Sequence, residues 1–206
     1  MAMNELYKAL GDISSIRRQV ARTTEFRGYG PATLAATGLF AVLASIAQYL
    51  WIPHPATHVA QYVGLWCLTA SVSVVLAGTQ MYTRSRRIHS GLSDEMIHMA
   101  VEQFLPALGA GLLLTVVLLR TAPELEWMLP GLWQVTFSLG IFASCRFLPR
   151  PITTAGAWYL FTGMLCVGLG GNRALSPWAM AIPFGAGQML VAGILFFYAK
   201  ERGHES

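Results

Sequence analysis

Glu95, His98 and Glu102 stand three and four residues apart, the spacing that places side chains on one face of an α-helix. They fall in and just before a long apolar run, and an ionisable group inside a bilayer marks a functional site by default. Glu102 is the deepest of the three, roughly two turns into the helix. A carboxyl shielded from water titrates nearer neutrality, so this face offers a proton site or a cation site, with His98 beside it. The structural alternative is an ion pair between Glu102 and Arg84, Arg86, Arg87 or Arg146.

Metal and haem chemistry find less support. Glu95-x-x-His98 has the spacing of di-iron helix bundles, but those need a second such pair and further glutamates on facing helices. No other apolar run supplies a carboxylate. His58 and His98 begin successive runs from opposite sides, separated by nearly the ~30 Å hydrocarbon core, which is too far to share a haem. His54 and His58 could meet Glu124 and Glu126 on the outer face, although Pro55 interrupts a helical pairing of the two histidines. No cofactor and no bound metal are expected.

A second place for chemistry is the middle of the membrane. Gln188 lies halfway along the last apolar run, next to Gly187 and five residues past Pro183. Pro183 frees a backbone carbonyl one turn earlier, and Pro106 does the same in the third run, near Gly111. Prolines beside small residues mark helices that line cavities or move. Ser71 and Ser73 offer hydroxyls at a similar depth. The structural alternative is that Gln188 bonds a neighbouring helix and the glycines only permit close packing. Walker, nucleophile-elbow, zincin and Rossmann spacings do not occur.

The elements that must position these residues are long apolar helices. With 54% hydrophobic and 12% charged residues, the chain is too apolar for an ordinary soluble domain, where about 25% are charged. Six runs approach the ~20 residues a crossing needs: 32–52, 59–82, 96–119, 127–145, 152–170 and 177–199. The expected fold class is therefore all-α, a six-helix polytopic membrane protein. Residues 1–30 form a cytoplasmic extension, 31–200 the transmembrane domain and 201–206 a short cytoplasmic tail. Trp51, Trp127 and Trp178 fall at the outer boundary, as an aromatic belt requires. Ser93, followed by Asp94 and Glu95, reads as a helix start, and Ser176 with Pro177 repeats that logic for the last helix.

Twelve of the fourteen Lys and Arg residues lie in segments on one side of these runs, with only Arg120 and Arg173 on the other. Basic loops stay in the cytoplasm, so both termini are expected inside the plasma (inner) membrane. The net charge of +4 matches an anionic leaflet, not a nucleic acid. Cys67, Cys145 and Cys166 sit in apolar runs and read as small hydrophobes. Within the extension, Leu6, Leu10, Ile13, Ile16 and Val20 form a stripe with Arg17, Arg18 and Arg22 mostly off it. This amphipathic helix suits the lipid interface or a second helix.

The third and sixth runs share Pro, Gly-Ala-Gly and a following apolar or polar triplet: Pro106 and 109–111 against Pro183 and 185–187. Three crossings per unit would invert the second unit, the architecture of many transporters. Two function classes follow. One is a small transporter or channel-like protein with a path between the third and sixth helices and Glu102 with His98 as an inner gate. The other is a non-catalytic subunit, anchor or regulator, working as a homo-oligomer or through a membrane or cytoplasmic partner bound by the N-terminal helix. A lipid- or quinone-directed enzyme using His89, Asp94, Glu95, His98 and Glu102 ranks last, since no nucleophile or metal set accompanies them.

Overall fold

In the computed structural model, residues 30–88, 91–145 and 151–203 are described, with side-chain surroundings for 30–83, 99, 101–145 and 151–197. The amphipathic segment expected before Gly30 and the basic group Arg146–Arg150 lie outside the described residues. So do the side chains of Glu95 and His98.

Six long helices follow one another: α1 Pro31–Trp51, α2 Val59–Ile88, α3 Gly91–Thr121, α4 Leu129–Ser144, α5 Ile152–Leu169 and α6 Trp178–Gly203. A six-residue 3-10 segment, Pro123–Met128, precedes α4, and a single turn, Gly171–Ala174, precedes α6. No strand occurs among the described residues. Five stretches are long and apolar enough to cross a membrane: Pro31–Trp51, Val59–Thr83, Val101–Thr121, Ile152–Leu169 and Gly171–Phe197. The chain is thus an α-helical membrane protein. At 16 residues, α4 spans about 24 Å, short of the ~30 Å core.

Helix limits depart from the sequence reading in two places. α3 begins at Gly91, so Ser93 sits inside the helix and does not cap it. α2 continues six residues past Tyr82, to Ile88. Both extensions are polar, and local helix propensity carries them beyond the apolar window that defined the crossing.

Pro31 opens α1 at its first turn, where a missing N–H costs nothing. Along α1 the buried face is small and polar, with Thr33, Thr37, Gly38, Ala41, Ser45 and Gln48. Leu39, Leu43, Ile46 and Leu50 point outward. This inside-out distribution is that of a helix whose large side chains meet lipid while small ones admit a neighbouring backbone. The chain reverses between α5 and α6 through Gly170 and Gly171, both at positive φ (66° and 51°), where any residue with a Cβ would be strained.

Two crossings bring backbones together. α1 lies on α6, where a Cβ on Gly38 would come within 3.2 Å of the Gly185 carbonyl oxygen. α4 lies on α5, where a Cβ on Gly163 would come within 2.9 Å of the Gly131 carbonyl oxygen. α3 packs on α4, α1 on α2, and α5 on α6. The helices therefore run α2–α1–α6–α5–α4–α3 in an arc. Although α2 and α3 are separated by only residues 89–90, they make few contacts among the described residues. Only 11% of the apolar stretch of each is buried, against 44% for α1.

The loop ends of α1, α3, α4, α5 and α6 meet at the tryptophan end of the bundle. There Trp51 and Trp178 are 75% and 66% exposed, as a belt residue should be. Trp127 departs from the belt pattern and packs inward against the cluster of Tyr62, Trp66, Leu175 and Met180. A second cluster, built on Ile141, Ile152, Tyr159 and Leu195, fills the opposite half.

Candidate functional site

Most of the interhelical hydrogen bonds seen among the described residues converge on the tryptophan end of α6 and the loop before it. Pro183 has no N–H, so the carbonyl of Ala179, one turn back, loses its helical partner. Gln134 of α4 supplies one, its Nε2 donating to the Ala179 oxygen at 2.9 Å. Gln48 of α1 donates in the same way to the Leu175 oxygen at 2.8 Å. Its own Oε1 accepts from the indole of Trp66 on α2 at 2.9 Å. Trp158 of α5 donates to the Pro183 carbonyl at 3.0 Å, and the Cys166 thiol meets the Ala174 oxygen at 3.6 Å. The proline is thereby held by side chains from α4 and α5, with α1 and α2 joined to the loop just before it. Each such bond in a membrane contributes about 0.6 kcal/mol on average.

Beside this tied region lies a group of buried oxygens. Tyr62 OH, Gln134 Oε1 and Ser138 Oγ are buried and accept or donate no hydrogen bond, while the buried Tyr159 OH has the Gln188 side chain beside it. They are spread along one stretch of α4, from the cluster at the tryptophan end to the one in the opposite half. Gln134 and Ser138 are one turn apart on its inner face. Tyr62 stacks on Trp133, the residue before Gln134, with ring centroids 6.4 Å apart and planes within 6°. Tyr159 meets Phe137, the residue before Ser138, edge-on at 4.8 Å. Phe184 of α6 touches both rings of that pair, at 5.5 and 5.2 Å. Met180 lies against Gln134, and Gly163 of α5 lets the Gln134 side chain approach its backbone. Leaving a buried polar atom unmade costs about 1–3 kcal/mol, so three together are a large charge against stability for a structural core alone.

The residues singled out from the sequence are distributed unevenly. Gln188 is half-buried, its Cβ against Gly38 of α1, and its side chain neighbours Tyr159. Gly187 lies under the Tyr159 ring, whose hydroxyl would be 2.5 Å from a Cβ there. Pro183 is buried and held as described. These three residues therefore border the oxygen group. A Cβ on Gly111 would instead meet the Thr136 hydroxyl of α4 at 3.3 Å, and one on Gly109 would meet nothing within 4 Å. Pro106 and Glu102 lie on the exposed side of α3. The glycine segments of α3 and α6 thus meet different helices, with α4 beside both. His98 lies on the same helix as Glu102.

Other sequence candidates are turned to local partners. Ser71 donates to the Cys67 carbonyl and Ser73 to the Thr69 carbonyl, both at 2.8 Å. His58 is exposed and shares its Nδ1 with Thr57 at 2.9 Å. Among the described residues no three His, Cys, Asp or Glu side chains converge on a point.

Gln48, Gln134, Ser138, Tyr62 and Tyr159 were not picked out from sequence. The signal available for them was a neutral amide in each of the first and fourth apolar runs, where attention to ionisable groups passes it over. Compared with known proteins, the chain matches no family model, no curated protein and no solved structure.

Proposed function

We propose that the chain is a small transporter or channel-like membrane protein whose polar path follows the inner face of α4 beside α6. The observation that carries the reading is the row of buried oxygens of Tyr62, Gln134, Ser138 and Tyr159 along Trp133–Ser138, the first three unpartnered. Gln188 continues it toward the other half of the bundle. The path expected between the third and sixth helices is thereby moved to α4, α5 and α6, with Gln188, Gly187 and Pro183 kept as its wall. Glu102 and His98 remain the candidate gate on α3.

Six crossings and an inverted repeat belong to this reading. Although α4 is short, its buried face rests on α3, α5 and α6, so its ends need not match lipid. The preceding 3-10 segment adds about 12 Å. A repeat relating α1 to α4 and α6 to α3 pairs two of the most extensive contacts, α1 with α6 and α3 with α4. The halves differ in that α5 packs on α6 while α2 makes few contacts with α3 among the described residues.

The test is solute flux into proteoliposomes containing purified protein, with Ser138→Val as the blocked variant. Flux by wild type that falls in Ser138→Val, with unchanged folding, supports the path. No flux of any neutral or charged solute removes it.

A second reading, a membrane subunit or homo-oligomer, is favoured by α2. Gly64 and Gly78 of this helix are exposed and would meet nothing within 4 Å if given a Cβ. Small residues on an uncovered face admit another helix. Native mass spectrometry in mild detergent decides: a defined assembly supports this reading, and a lone monomer removes it.

A further inference from the structure

We infer that the oxygen group around Trp133–Ser138 binds uncharged, hydrogen-bonding molecules, of which water is the smallest, and excludes ions. The inference deepens the transport reading by naming the class of ligand, but it concerns occupancy and has its own readout. Its basis is the chemistry of the surrounding wall. Gln134 Oε1 is an acceptor only, and the hydroxyls of Tyr62, Ser138 and Tyr159 both donate and accept. A guest that can donate and accept can therefore satisfy each of them.

The remaining wall is apolar or neutral: Trp133, Phe137, Phe184 and Met180, with Gly163 and Cys166 of α5. The charged side chains among the described residues lie elsewhere. Arg120 and Glu124 are exposed near the tryptophan end, as is Arg173, with Glu126 half-buried beside them, and Glu102 is on the open side of α3. An ion entering the group would lose its hydration without a counter-charge, whereas a neutral guest exchanges one set of hydrogen bonds for another. Buried polar sites of this kind are normally occupied by water making about three bonds.

The experiment is hydroxyl-radical labelling by X-ray radiolysis in 18O-water, on the full-length protein in nanodiscs. Met180 and Tyr62 are buried (3% and 0% exposed) and report on the site, while exposed Trp178 reports on bulk solvent. Bound water is expected to label Met180 and Tyr62 despite their burial, and Ser138→Ala to lower that labelling by about ten-fold for the one bonding partner lost. Background labelling in wild type overturns the inference, and needs no variant to do so. Urea at high concentration should compete with the label at Met180, and potassium chloride should not. The reverse order overturns the neutral class. Occupancy without flux keeps this site and removes transport. Flux without occupancy places the path elsewhere and overturns the inference.

Discussion

Gln134 is held to Pro183 by one missing hydrogen, and that relation can be measured as a coupling energy. Replacing Gln134 with Leu removes the donor to the Ala179 oxygen. The bond itself contributes about 0.6 to 1.7 kcal/mol, and the stranded carbonyl adds about 1–3 kcal/mol. Removing the unpartnered Oε1 returns part of this, so a net loss of about 2 kcal/mol is expected. In a Pro183→Ala background the restored backbone N–H at position 183 reaches the Ala179 carbonyl within α6. The carbonyl is then satisfied without the glutamine, and Gln134→Leu should cost less than about 1 kcal/mol. The assay is reversible unfolding of wild type, both single variants and the double variant in mixed micelles, giving a double-mutant cycle. A coupling of about 1–2 kcal/mol is expected. Additivity within ~0.5 kcal/mol would refute the claim that Gln134 is there to answer the proline.

Three further outcomes follow from the packing. Gly163→Ala places a methyl 2.9 Å from the Gly131 carbonyl oxygen and 2.9 Å from Val135, so α4 and α5 must part, at about 1–3 kcal/mol, read as a lowered Tm in detergent. Gln48→Leu strands both the Trp66 indole N–H and the Leu175 carbonyl. It should destabilise by about 2–4 kcal/mol, and Trp66→Phe in the same background should add little, since the indole has already lost its acceptor. Fusing a fluorescent protein to the C-terminus and alkaline phosphatase, in a separate chain, to the same point settles the crossing number. Six crossings put both termini on the cytoplasmic side and give a fluorescent, phosphatase-negative C-terminus, whereas a phosphatase-positive result means α4 does not cross.

The helices themselves were legible because apolar length is a one-dimensional signal, and the structure begins α1, α2 and α5 within a residue of where the hydropathy pattern puts them. Helix ends at Ile88 and Gly91 were missed because a polar continuation of a helix leaves no mark in an apolar window. The site was legible only on its α6 side. Pro183, Gly187 and Gln188 carry local signals, a ring, a missing Cβ and a polar atom at mid-membrane. Their partners do not: nothing near Gln134 in sequence says that it faces a carbonyl 45 residues later, and two tyrosines near helix starts read as interfacial residues until packing buries them. Glu102 drew attention because a charge is conspicuous, yet it lies on the exposed side of α3.

The distribution of bonds also limits how a path could open. Moving the first half of α6 against its neighbours breaks bonds to Ala179 and Pro183, and moving the preceding loop breaks those to Leu175 and Ala174. At about 0.6 kcal/mol each that is ~2.4 kcal/mol before the Gly38–Gly185 contact is disturbed. α3 packs extensively on α4 and, among the described contacts, on little else. Its ties to α4 include the Trp133 indole donating to Thr115 at 2.8 Å, the edge-on contact of Phe104 with Phe137 at 5.3 Å, the Gly111–Thr136 approach and the seat of Phe104 on Gly140. α2 holds to the rest through the Tyr62–Trp133 stack, the Trp66–Gln48 bond and Gln80, which accepts from the Gly30 amide at 3.1 Å. Because Trp133 carries both the Tyr62 stack and the Thr115 bond, it joins α2 and α3 to α4 immediately beside the oxygen group. Loss of Trp133 would therefore release both α2 and α3 from α4 at this point. Trp133→Phe keeps a ring for Tyr62 but releases Thr115, and should loosen α3 selectively. Faster amide exchange confined to α3 would agree, and uniform acceleration across α4 and α5 would not.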